Sequence, residues 1–142
     1  MEPQLRREIE WDCQQVIIRM SYAQDIGDFQ GYVSYFTSDG NWLRQGVELQ
    51  GHEAILDALS KRSPTLRIRH VFTNFIVTIH DEKNVQCMSY MHGRRADPGE
   101  GIEGPVPVQE QVLWVYHDDM VLTEDGWKVS KRRAEKIYED EL

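Results

Sequence analysis

Around Pro64 the recurrence of apolar residues changes from every third or fourth position to every second, and this switch constrains the fold more than any other feature of the chain. Upstream, Leu5, Ile9, Cys13, Val16, Ile17, Met20 and Ala23 form the stripe of one long amphipathic helix that ends near Gly27. Asp28 is placed to cap a second helix, whose inner stripe is Phe29, Tyr32, Val33 and Phe36. SDGNW then turns the chain into a short strand pair, NWLRQ and VELQ, joined around Gly46. Gly51 opens a third helix, GHEAILDALSKR, and Ser63-Pro64 ends it because the residue before a proline avoids the helical region.

Downstream, RIRHVFTNFIVTIH, NVQCMSYMHGRRA, VPVQEQVLWVYHDDMVL and GWKVSKRRAEKIY read as four long strands. Polar turns at residues 80–84 and at TEDG join neighbours antiparallel. The Gly- and Pro-rich DPGEGIEGPVP, residues 97–107, is a long loop, expected to serve as a lid or a contact surface. Helices first and antiparallel strands afterwards, within 142 residues, predict a single α+β domain spanning 1–142, with helices on the concave face of a curved sheet. The space between helices and sheet is the expected ligand pocket. There is no internal repeat, and no low-complexity tail beyond the acidic end YEDEL.

Charge narrows the partners. With 24 acidic against 16 basic residues the formal charge is -8, which argues against nucleic acid and offers little to an anionic membrane. The dense basic cluster Lys128, Lys131, Arg132 and Arg133 reads as a solvated strand face. MEPQLRREIEWDC lacks the apolar run of a signal peptide, and no window approaches the ~18 apolar residues of a membrane helix, so a cytoplasmic location is expected. Cys13 and Cys87 sit in a helix and a strand interior as small buried thiols. His52-Glu53 is only a fragment of a zinc motif, and His80, His92 and His117 lack partners at ligand spacing, so no metal is expected. Without G-x-G-x-x-G or a P-loop, nucleotide-dependent chemistry has no support, and without G-x-S-x-G neither has serine hydrolysis; no cofactor is expected.

One residue stands out against its surroundings. In RIRHVFTNF, strict alternation puts Ile68, His70, Phe72, Asn74 and Ile76 on one face, and Val71, Thr73, Phe75 and Val77 on the other. An imidazole on a mostly apolar face needs a partner, since a buried polar group without one costs about 1–3 kcal/mol. Asn74 or a backbone carbonyl would satisfy it structurally. Asp25, at the end of the first helix and beside its apolar stripe, would instead fix the ring's tautomer and make it a general base. The other role for Asp25 is as a turn residue of IGDF, which Asp28 fills better.

SYAQDIGDFQGYVSYFTSDGNW, GHEAILDAL, RHVFTNF and YHDDMVLTEDGWKVSKRR, in that order, resemble the SnoaL-like branch of the nuclear-transport-factor-two-like superfamily across nearly the whole chain. D-x-G-D, R-H-x-x-T-N and D-G-W-x-V together carry the likeness. The branch is similar to scytalone dehydratase, bile-acid dehydratase and hexachlorocyclohexane dehydrochlorinase, with ketosteroid isomerase and the dioxygenase small subunit more distant. The resemblance implies a cone-shaped curved antiparallel sheet wrapped around three N-terminal helices, a cystatin-like α+β barrel, with Asp25 and His70 as a catalytic dyad.

Some dehydratases of this kind carry a tyrosine five residues before the aspartate, where this chain has Met20. Tyr22 is then either a substrate-binding residue or a half-buried helix aromatic, and Arg132 either the pocket arginine of some relatives or a solvent-facing one. Two functions follow. The first is a cofactor-independent lyase or isomerase of dehydratase, double-bond isomerase or cyclase type, acting on a hydrophobic cyclic small molecule, with Tyr22, Asn74 or Arg132 holding a substrate oxygen. The second is a non-catalytic ligand-binding or assembly module resembling the dioxygenase small subunit. An epoxide hydrolase would need further acidic groups, for which the strands offer Glu110. Val71, Phe75, Val77 and Ile79 on the outer face predict a homo-oligomer. The resemblance favours a trimer over a dimer.

Overall fold

The structure, a computed structural model, describes residues 1–139, so the acidic end is only partly covered. Pro3 occupies the start of α1 (Pro3–Asp25), where its missing N–H costs nothing, and Gly27 ends the segment with φ +80. Asp28 caps α2 (Phe29–Ser34) by accepting from the Gly31 N–H at 2.9 Å. β1 (Phe36–Arg44) and β2 (Val47–Gln50) follow, then α3 (Gly51–Ser60) and four long strands. These are β3 (Arg67–Asp81), β4 (Asn84–Ala96), β5 (Glu110–Thr123) and β6 (Gly126–Lys136).

The strands form one curved, unclosed sheet in the order β2-β1-β6-β5-β4-β3. All pairs are antiparallel except β1 with β6, which run parallel. This parallel pair departs from the expected antiparallel sheet, and the open edges at β2 and β3 mean that the cone is not a closed barrel. The predicted α1 stripe is buried at Ile9, Cys13, Ile17, Met20 and Ala23, and it packs with Ile55 and Leu59 of α3 onto the sheet. No helix among the described residues is long and apolar enough to cross a membrane.

Strict alternation fails on β3. Asn74 adopts φ +55, and between the pairs Thr73–Tyr90 and Ile76–Met88 two residues of β3, Asn74 and Phe75, face one of β4, Ser89. This bulge reverses the parity beyond it, so Phe75, Val77 and Ile79 pack on the core, while Ile76 is 57% exposed. Asparagine tolerates the left-handed backbone better than most residues, which suits it to the kink. Three of the four residues of the anticipated outer stripe are therefore inward, and of that stripe only Val71 is an exposed large hydrophobic. The loop 97–107 is tied to the β3 end. The Thr65 hydroxyl donates to Asp97 at 2.5 Å, and Arg67 donates to the carbonyls of Ile102 and Gly104.

Candidate functional site

Asp25 is the last residue of α1, and β3, which carries His70, is an edge strand. An edge strand leaves backbone N–H groups without a ladder partner. That of His70 donates to Asp25 Oδ2 at 3.0 Å, and the ring Nδ1 lies 2.5 Å from Oδ1. With the carboxylate as acceptor Nδ1 is the donor, and in the neutral ring Nε2 keeps its lone pair. Both side chains are over nine-tenths buried, at 8% and 7% exposure.

His70 lines a cavity of about 320 Å³ between the helices and the open end of the sheet. Trp42, Met91 and Tyr116 form its buried wall, with Ile68, Val112 and Trp114 beside them. Gly93 is the register partner of His70 on β4, so no side chain stands across from the imidazole. A Cβ there would lie 3.1 Å from Val112 and 3.3 Å from the Met91 sulfur.

The other anticipated site residues fall elsewhere. Tyr22 is 65% exposed and does not line the cavity, because it lies on the solvent side of α1 between buried Ser21 and Ala23. Asn74 is exposed at the bulge and is likewise absent from the lining, because the kink that it makes turns it away. Arg132 belongs to neither alternative. It is 1% exposed and does not line the cavity, and each of its three nitrogens makes a hydrogen bond away from it.

Arg132 Nε donates to Asp118 Oδ1 at 2.7 Å, Nη2 to Oδ2 at 3.2 Å and Nη1 to the Tyr32 hydroxyl at 3.1 Å. The guanidinium also lies 4.7 Å from the Tyr116 ring centre and 5.5 Å from that of Phe72. Burial opposes the charge on Arg132, but the facing Asp118 carboxylate holds its pKa above the ordinary value. Burial also pushes the Asp118 carboxyl up, and the Arg132 guanidinium opposes that shift. The arginine decides the charge state of the pair. A guanidinium keeps its proton, and a neutral Asp118 would leave a buried cation uncompensated, so the pair stays ionised. Of the basic cluster read as a solvated face, Arg132 is thus the exception.

Two residues of this region were not anticipated. Asp118 could have been found, since Trp114, Tyr116, Asp118 and Met120 alternate on one face of β5. Arg62 could not. It donates to the carbonyls of Gln24 at 2.6 Å, Asp25 at 3.1 Å and Leu66 at 3.3 Å, joining the end of α1 to the residue before β3. Glu110, named for a hydrolase, does line the cavity. Among the remaining histidines, His52 Nε2 meets the Phe36 carbonyl at 2.9 Å and His117 pairs with Glu135 at 3.2 Å.

The profile of the SnoaL-like domain family matches residues 6–133. No curated protein matches the sequence at a significant level. Among solved structures, a scytalone-dehydratase-like protein of Novosphingobium aromaticivorans DSM 12444 is 15% identical, covering 99% of this chain and 93% of that one, with a TM-score of 0.85. A protein from Catenulispora acidiphila, solved in complex with S-DNPA, is 27% identical over 92% of this chain and 94% of its own, with a TM-score of 0.72. An NTF2-like protein with a cystatin-like fold, from Novosphingobium aromaticivorans, is 15% identical over 94% and 86%, with a TM-score of 0.75.

Proposed function

The chain belongs to the SnoaL-like domain family, and from that premise we propose that it is a cofactor-independent lyase or isomerase acting on a hydrophobic cyclic small molecule. The observation that carries this reading is the His70–Asp25 pair beside the cavity, with the ring's Nε2 as the nitrogen left for a ligand. In the proposed step Nε2 removes a proton from a carbon next to a carbonyl or a leaving group. Asp25 stabilises the imidazolium that forms, and the proton is then returned elsewhere on the product or leaves with the departing group. Dehydration, double-bond migration and ring closure share this first step.

A placed general base contributes roughly a hundred- to ten-thousand-fold. The test is deuterium uptake: cyclic ketones and hydroxy-ketones are incubated with protein in D₂O, and exchange at the acidic carbon is followed by NMR. Protein-dependent exchange that falls by about that factor in His70→Ala supports proton transfer. Ligands that bind without exchange would leave a binding or assembly module. A homo-oligomer, a trimer before a dimer, remains part of the proposal on the family likeness, since the outer face of β3 lends it little. Light scattering giving the mass of a single chain would remove that part.

A further inference from the structure

The chain has a formal charge of -8, but the charged lining of the cavity is four cations, Arg44, Lys61, Arg62 and Arg95, against two carboxylates, Asp97 and Glu110. Two of the cations are already occupied. Lys61 pairs with Asp57 at 3.4 Å, and Arg62 spends its donors on backbone carbonyls. Asp97 accepts from Thr65, and although the charge of Arg95 is felt at its carboxylate, no cation stands within ion-pairing distance of it. Arg44, at the end of β1, lies over the Trp42 ring at 5.1 Å, and Arg95, near the end of β4, faces Glu110 across the ladder. Neither forms an ion pair among the described residues.

We propose that Arg44 and Arg95 form an anion subsite at the mouth of this cavity, so that its ligand is a small ring compound bearing a carboxylate or an equivalent anionic group. The apolar ring lies against Trp42, Met91, Trp114 and Tyr116, beside His70, and the anionic group reaches the arginines. Guanidinium groups suit this role because they present several donors in a plane that matches a carboxylate. Glu110 tunes the subsite. Opposite Arg95, it disfavours a second anion and sets how strongly the first is held. A cavity of about 320 Å³ is at the small end of ligand pockets, which suits one or two rings.

The subsite deepens the proton-transfer reading by naming its substrate class, yet it can fail separately. The probes are 2-naphthoate and the neutral 2-naphthamide, of nearly equal shape, titrated calorimetrically at pH 8 and low salt. The acid should bind about tenfold or more tightly than the amide, as a charge-assisted contact predicts, and added salt should narrow the gap. Arg44→Gln and Arg95→Gln should each shrink the preference while amide binding is retained, which also shows that the variants are folded. Glu110→Gln should widen it.

Equal affinity for the two probes, no binding of either at millimolar concentration, or a preference unchanged in the double arginine variant would each overturn the subsite. So would a preference lost in His70→Gln and kept in the arginine variants, because the imidazole would then hold the anion. If the acid preference follows the arginines while no ring compound exchanges deuterium, the subsite stands and proton transfer falls.

Discussion

One carboxylate holds His70 at two points: Asp25 Oδ2 accepts its backbone N–H at 3.0 Å, and Oδ1 lies 2.5 Å from its ring Nδ1. The first contact sets where the strand lies against the helix end, and the second sets which ring nitrogen is basic. Replacing Asp25 by asparagine separates the two. The amide oxygen can still accept the backbone N–H, but the amide N–H₂ then donates to Nδ1 and shifts the proton to Nε2. Asp25→Asn is expected to fold, to show the opposite His70 tautomer in long-range ¹H–¹⁵N spectra and to lose any deuterium exchange. An unchanged tautomer would contradict this account.

Arg62 joins the elements that carry the pair. Its guanidinium bridges the carbonyls of Gln24 and Asp25 to that of Leu66, four residues before His70. Arg62→Ala should lower stability by about 1–3 kcal/mol in urea, with faster amide exchange at residues 24–28 and 66–70 than elsewhere. Exchange that rises uniformly over the chain would mean that Arg62 has no local role.

Arg132 and Asp118 should behave as a unit. Removing one partner strands a buried charge, so Asp118→Leu and Arg132→Met should each cost about 3–5 kcal/mol. The double variant should cost much less than their sum, because neither charge is then left alone. Additive losses in denaturant melts would refute the coupling.

Both thiols are held protonated. Burial, with Asp12 nearby, pushes Cys13 from an ordinary 9.0 up to about 12, and burial with Asp118 does the same to Cys87. In the folded chain these groups keep protons that the unfolded chain releases. The resulting stability is complete below pH 9 and is lost as the pH climbs towards 12. A Cys13→Ala/Cys87→Ala variant should therefore show a shallower alkaline decline in melting temperature. A thiol reagent at pH 8 should label neither cysteine until the chain is unfolded.

The secondary-structure elements, and the position of the one imidazole on an apolar face, were legible in the order of residues. Apolar spacing in α1, the Asp28 cap, Pro64 and the switch to alternation marked three helices, a short hairpin and four long strands, because these signals act within a few residues. His70 drew attention for the same local reason, as an imidazole on an apolar face. Contacts that cross between elements came from packing instead. The kink at Asn74 reverses the parity of β3, so Phe75, Val77 and Ile79 turn inward, Ile76 turns outward and Asn74 leaves the pocket. Arg132 is buried against Asp118, and Arg62 reaches the end of α1, through contacts separated by 14 and up to 38 positions. Periodicity is a property of neighbours along the chain. Where an inserted residue shifts a register, or a long side chain selects among distant carbonyls and carboxylates, the outcome depends on packing that no local pattern encodes.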